Sequence, residues 1–300
     1  MKSLVFFCLL LCVSAMGCNF SAPFRMSIKE TVRSRDLMQE AALAMEHNEW
    51  VIAEEKLFRA VKINAKDADL RSKYAEVLWQ RGKKQEAVEQ LLEAVKISPN
   101  DANLSMQLAD LCFQIGDYES SFRCANDAIK LATEEHRHTI HKAWAILGRI
   151  ERQNNNTQKA LAHYHKAISL APKNAELITE LAKLYEEMRQ PERALLTWQK
   201  ASLFYQPDEE PIQIVTGRGN AYMAMQRYHE AVEQYTIAQQ RWPHDVGGYY
   251  RLAQAHIALG NLDNANAITE QAIAIAPSDR QLIDLQNRVR LAQNPTQTLR

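Results

Sequence analysis

Three histidines, His136, His138 and His141, follow Glu134 and Glu135 in one short stretch of the chain. Imidazoles and carboxylates this close could in principle collect a zinc or copper ion, but their spacing matches no strong metal motif. A hydrated linker with incidental histidines is therefore expected, and no metal is assigned. His163 and His165 stand two apart on a helical stretch, so they diverge toward the surface. Glu186 and Glu187 point in different directions on one helix and predict a solvated charged face, not a general acid and base. Gly217 and Gly219 form no phosphate-binding loop. Cys112 and Cys124 could bridge if their geometry allowed, although buried free thiols are the expectation. These residues assign no catalytic group and no cofactor.

Composition narrows the field further. Thirty-six Lys and Arg against thirty-six Asp and Glu cancel to a formal charge of zero, so no global positive field exists to hold a nucleic-acid backbone. With 46% hydrophobic and 24% charged residues the chain reads as folded over most of its 300 residues. Only nine Gly and nine Pro leave few positions for the tight turns of many-stranded sheets, which favours helices.

The N-terminus carries Lys2, an apolar run from Leu4 to Val13, small residues and then Cys18, the order of an export signal. Such a run is shorter than the roughly 20 residues a membrane-spanning helix needs. Ala15-Met16-Gly17-Cys18 resembles the lipobox of bacterial lipoproteins, in which the cysteine becomes the acylated first residue. That resemblance implies a signal peptide over 1–17, lipidation of Cys18 and a mature chain tethered to the bacterial envelope, facing the periplasm. Cleavage after Val13-Ser14-Ala15 remains the alternative and would release a soluble periplasmic protein.

An internal period organises the rest. Ala53, Ala87, Ser121, Ala160, Ala194, Ala231 and Ala265 are separated by 34, 34, 39, 34, 37 and 34 residues. Ala60, Ala94, Ala128, Ala167, Ala201, Ala238 and Ala272 repeat the series, as do Ala41, Ala75, Ala109, Gly148, Ala182, Gly219 and Ala253. Eighteen of these 21 positions are Ala, although the chain holds only 40 Ala in 300 residues, which excludes chance. Small residues at a fixed stride mean that two helices cross too closely for more than a methyl group. Polar breaks such as Asn154 to Thr157 separate the two helices of each period, and Pro99, Pro172, Pro243 and Pro277 close four of them.

The spacing resembles the tetratricopeptide repeat, and Trp144-Ala145-Ile146-Leu147-Gly148 matches its signature closely. The resemblance implies an all-α fold, an α-α superhelix of about seven repeats at 34–67, 68–101, 102–135, 141–174, 175–208, 212–245 and 246–279. Residues 18–33 then form a tether, 280–293 a capping helix with Leu282, Ile283, Leu285, Val289 and Leu291, and 294–300 a tail.

In that family the first helices of successive repeats line a concave wall that binds peptides or partner helices. Its positions map here to Met38, Met45, Glu76, Trp79, Met106, Asp110 and Phe113, then to a positive patch of Lys142, Arg149, Arg152 and Lys183, then to Asn220, Met223, Tyr250, Gln254 and Ile257. Met38 and Met106 also suit packing between adjacent helices. Arg149→Glu with Arg152→Glu is then expected to weaken capture of an acidic partner while leaving melting nearly unchanged. No repeat carries the paired Lys and Asn of chaperone-docking relatives, since Thr216 accompanies Asn220. The function implied is a non-enzymatic scaffold that binds other proteins at the cell envelope. The alternatives are a soluble periplasmic chaperone or adaptor, and an accessory subunit holding wall polysaccharide through Trp79, Phe113 and Tyr250.

Overall fold

The computed structural model describes residues 28–206 and 208–293. The signal peptide, Cys18, most of the expected tether and the tail lie outside the described residues. Two compact units divide the chain after Ser98. The first contains α1 (Ile28–Glu46), α2 (Trp50–Ile63), α3 (Ala68–Gln80) and α4 (Lys84–Ile97). The second begins with α5 (Ala102–Gln114), α6 (Tyr118–Leu131), α7 (Arg137–Gln153) and α8 (Thr157–Leu170). It continues with α9 (Ala175–Glu187), α10 (Pro191–Ser202), α11 (Ile212–Ala224) and α12 (Tyr228–Arg241). α13 (Val246–Ala258), α14 (Leu262–Ile275) and α15 (Arg280–Gln293) complete it. No strand occurs among the described residues. The fold class is all-α, with helix pairs stacked as in an α-α solenoid within each unit.

Each pair forms because its sequence starts, turns and stops it at fixed places. Asp67, Asp101, Asn174 and Asp245 precede a first helix and Asp279 precedes the cap α15, and each accepts a backbone N–H of the opening turn. The turn within each pair contains one left-handed residue at an equivalent position: Asn48, Gly82, Gly116, Asn155, Arg189, Gln226 and Gly260. Glycine adopts that conformation without penalty and asparagine with little, whereas Arg189 and Gln226 carry strain.

The small-residue series is buried throughout. Ala53, Ala87, Ala160, Ala194, Ala231 and Ala265 are wholly inaccessible, and the series' one hydroxyl, Ser121, donates to the Ala109 carbonyl oxygen at 2.7 Å. Space at the crossings is set by aromatic rings. A Cβ on Gly219 would stand 2.4 Å from the Tyr235 ring, one on Gly148 would stand 2.9 Å from Tyr164, and one on Gly217 would stand 2.3 Å from Trp198. Fully buried Trp198, Tyr164 and Tyr235 are the largest side chains of the second unit's core. In the cap, Leu282, Leu285 and Val289 are buried, while Ile283 and Leu291 are exposed.

Two boundaries differ from the sequence expectation. α1 begins at Ile28, so residues 28–33 belong to a helix and not to the tether. Ile28 and Val32 point outward there, which removed the buried apolar periodicity that would have marked the extra turns. The supposed histidine linker is also structured. A single 3-10 turn at Glu134–His136 leads directly into α7, whose first turns bury Thr139 and His141.

Candidate partner-binding groove

In the second unit α5 packs on α7 and α9 on α11, so the first helices of neighbouring pairs meet directly and make a wall. Among the described residues, at least three clefts open on it. One of about 220 Å³ lies among α5, α7 and the start of α9, lined by Met106, Asp110, Lys142 and Arg149 among others. A second, of about 710 Å³, lies among α11, α13 and the start of α15, and its lining includes Asn220, Met223, Tyr250 and Gln254. The third, about 340 Å³, includes Glu186, Arg189 and Asn220. Eight residues expected on the wall therefore line two of these clefts. Lys183 and Ile257 are half-buried on the same helices without lining any of the three. In the first unit Met38, Met45 and Trp79 are half-buried and Glu76 is exposed. Glu76 accepts from Lys73 at 2.9 Å, and the Lys84 ammonium sits 5.4 Å from the centre of the Trp79 ring.

The two arginines of the expected positive patch are corrected, while Lys142 is exposed and Lys183 half-buried. Arg149 Nε donates to both carboxylate oxygens of Glu180, at 2.8 and 3.0 Å, and its Nη2 reaches Glu176 at 3.0 Å. Arg152 Nε likewise meets both oxygens of Glu187, at 3.0 and 2.9 Å. Burial opposes the charge on Arg149, but the Glu180 carboxylate outweighs it and stabilises the guanidinium. These arginines brace α7 against α9 and present little free charge. Glu180 escaped the sequence reading because carboxylates on a neighbouring helix 31 residues away leave no local spacing signal.

Other side chains are also engaged. Met106 is buried in the core beneath its cleft and offers only its edge. Phe113 packs on the same core and on the Tyr118 ring, 5.4 Å between centres. Glu186 is not a solvated acid. It accepts from the Trp198 indole N–H at 2.9 Å, and burial raises its carboxyl above the ordinary range. His163 leaves the expected surface and stacks on Trp144 at 5.2 Å, where burial lowers its imidazole. Cys112 and Cys124 are free thiols, and burial, with Cys124 nearby, pushes Cys112 up to about 11. Neutral at ordinary pH, the Cys112 thiol is a poor nucleophile. Among the described residues no group of three or more His, Cys, Asp or Glu side chains is placed to hold a metal ion.

The insertion before α11 builds a second buried ion cluster that sequence reasoning missed. Glu210, nearly inaccessible, receives Arg218 through both nitrogens of its fork, and Arg241 lies 4.0 Å away. Burial works against the Glu210 charge, but the Arg218 hydrogen bonds and the Arg241 charge outweigh it and hold the carboxyl below its usual value.

The repeat geometry is matched by sequence families. A family model described as tetratricopeptide repeat matches residues 38–102 and 216–280, and another of the same description matches 151–214. The chain belongs to the tetratricopeptide-repeat family. Solved structures of tetratricopeptide-repeat proteins share its fold. The chain is 13% identical to pilF of Pseudomonas aeruginosa over 72% of this chain and 94% of that one, with a TM-score of 0.61. It is 16% identical to a tetratricopeptide repeat protein from Parabacteroides merdae over 86% and 99%, with a TM-score of 0.60. It is 18% identical to YrrB, described as having an unusual peptide-binding site, over 67% and 99%, with a TM-score of 0.57. At such identities the likeness shows the fold alone. No curated protein matches the chain in sequence. Tetratricopeptide repeats of this kind support a protein-interaction scaffold.

Proposed function

We propose that this protein is a non-enzymatic scaffold at the bacterial cell envelope that binds a peptide segment or helix of a partner protein along the first-helix wall of its repeats. The observation that carries this is the succession of clefts at about 220, 340 and 710 Å³ along first helices of the second unit. Met223, Tyr250 and Gln254 supply adaptable apolar contact and amide hydrogen bonding there, the mixture that suits an extended backbone. That YrrB is described as having a peptide-binding site supports the same use of the fold. A polysaccharide platform is less well supported, because Phe113 is packed on the core and Trp79 is covered by a lysine.

The leader places the scaffold outside the cytoplasmic membrane, and acylation of Cys18 tethers it. No helix among the described residues is long and apolar enough to cross a membrane, so this reading assigns attachment to the lipid. A photo-crosslinking residue installed at Met223, followed by purification from the native cells, should trap a protein partner at that position. Capture only of purified wall material would overturn the reading. In fractionation, Cys18→Ala should move the protein from the membrane to the soluble fraction, and a wild-type chain already soluble would instead favour plain secretion.

A further inference from the structure

The cleft of about 710 Å³ among α11, α13 and the start of α15 is rich in hydrogen-bond donors. Asn220 accepts the Tyr235 hydroxyl on Oδ1 at 2.8 Å, which leaves its amide nitrogen to donate. Gln254 adds a second amide. Two charged residues line the cleft, Arg251 and Asp279. Asp279 is already used, because its carboxylate caps α15 by accepting the Gln281 backbone N–H at 2.8 Å. Arg251 is different.

Arg149, Arg152 and Arg218 all commit their guanidiniums to carboxylates of this chain. Among the described residues, Arg251 makes no ion pair or hydrogen bond of that kind, and its Nη1 lies 3.0 Å from where a Cβ on Gly247 would stand. The missing side chain at 247 gives the guanidinium its room. Glu186, on the adjoining cleft, accepts from Trp198 and feels the Arg251 charge without pairing with it, and Asp245, 3.5 Å from the same Cβ position, is taken up in capping α13. Met223, Val246 and Leu282 make the rest of the lining apolar. Asn220 and Ala224 line both this cleft and the one of about 340 Å³, so a chain lying in one continues into the other. An occupant that runs through both clefts presents side chains here and carries its termini elsewhere.

We propose that this cleft takes an acidic side chain from the interior of an extended, otherwise apolar peptide segment, with the Arg251 guanidinium as counter-ion and the Asn220 and Gln254 amides as flanking donors. A guanidinium offers a carboxylate two parallel hydrogen bonds, which offsets the water both lose, whereas a lysine in the same place meets like charge. Discrimination thus comes from the rejected cation as much as from the accepted acid. The inference rests on the groove function above but is narrower than it.

The test uses the full chain and a randomised twelve-residue peptide library with both ends blocked. Wild-type protein should enrich sequences with an internal Asp or Glu among apolar residues several-fold over the input. Arg251→Gln should abolish that enrichment, Arg251→Lys should keep part of it, and Arg251→Glu should shift it to Lys and Arg, all with unchanged helicity. The same acid enrichment in Arg251→Gln, or none in wild type, overturns the proposal. Equal enrichment from a second library without internal acids but with free C-terminal carboxylates overturns it as well, in favour of a chain end. If a partner still crosslinks at Met223 while acid preference is absent, the charge assignment fails and the groove function stands.

Discussion

At single positions the fold is controlled by how little room a residue takes and by which way its backbone turns. Gly217 faces the Trp198 ring so closely that a methyl group would stand 2.3 Å from it. Because that indole is buried and tied to Glu186, it has little freedom to retreat. Gly217→Ala is expected to cost about 1 to 3 kcal/mol in denaturant unfolding. Arg189 and Gln226 offer the opposite opportunity. Both hold positive φ, 54° and 61°, where their equivalents in three other repeats are glycines. Arg189→Gly and Gln226→Gly should each stabilise the chain by about 0.5 to 1 kcal/mol, read as a rise in melting temperature. The small-residue rule was fully legible, since alanine at a fixed stride has one economical physical meaning. Gly217 stands outside the three alanine series, so its contact with an indole on the preceding helix pair left no periodic mark.

Between helices, ion pairs act as braces, which changes what charge reversal should do. Arg149→Glu with Arg152→Glu would set new carboxylates against Glu180, Glu176 and Glu187 at the contact of α7 with α9. The double variant should therefore lower stability by about 2 kcal/mol or more, contrary to the expectation of unchanged melting drawn from sequence. An unshifted chemical denaturation midpoint would show that the brace carries no energy. Glu210 gives a pH signature. Its folded carboxyl is depressed below the ordinary value, so its contribution to stability is present above the unfolded pKa of about 4.3 and is lost as pH falls through the lower folded one. Glu210→Gln should melt below wild type at neutral pH and converge with it in acid. Helix pairing, the turn at Asn154 to Thr157 and the closing prolines could be read in advance because each depends on residues close in sequence. The braces join residues 31 and 35 apart across helices, and the exact pairing is set by packing alone.

For the molecule as a whole, stability is built from neighbour-to-neighbour contacts, so its ends matter more than their length suggests. Cap α15 buries Leu282, Leu285 and Val289, and Leu282 packs in one cluster with Tyr249 and Ala272 of the last repeat. A chain ending at Ser278 should expose that cluster and either aggregate or lose the cooperativity of its final unfolding step, as seen by light scattering and circular dichroism. The all-α repeat architecture came directly from the period, including two insertions that shift it to 39 and 37 residues. What those insertions build did not, because a buried Glu210 and a helical start at Arg137 depend on partners that no local pattern announces.

The same internal pairing governs how partners arrive. With Arg149, Arg152 and Arg218 neutralised by neighbours, and a formal charge of zero, the long-range field of the chain is weak, and local cations such as Arg251 act only at close range. Encounter then proceeds with little long-range steering, at about 10⁵ to 10⁶ M⁻¹s⁻¹, and its rate should respond only weakly to ionic strength. Differences in how long partners stay, rather than how fast they come, would decide which of them occupies the scaffold.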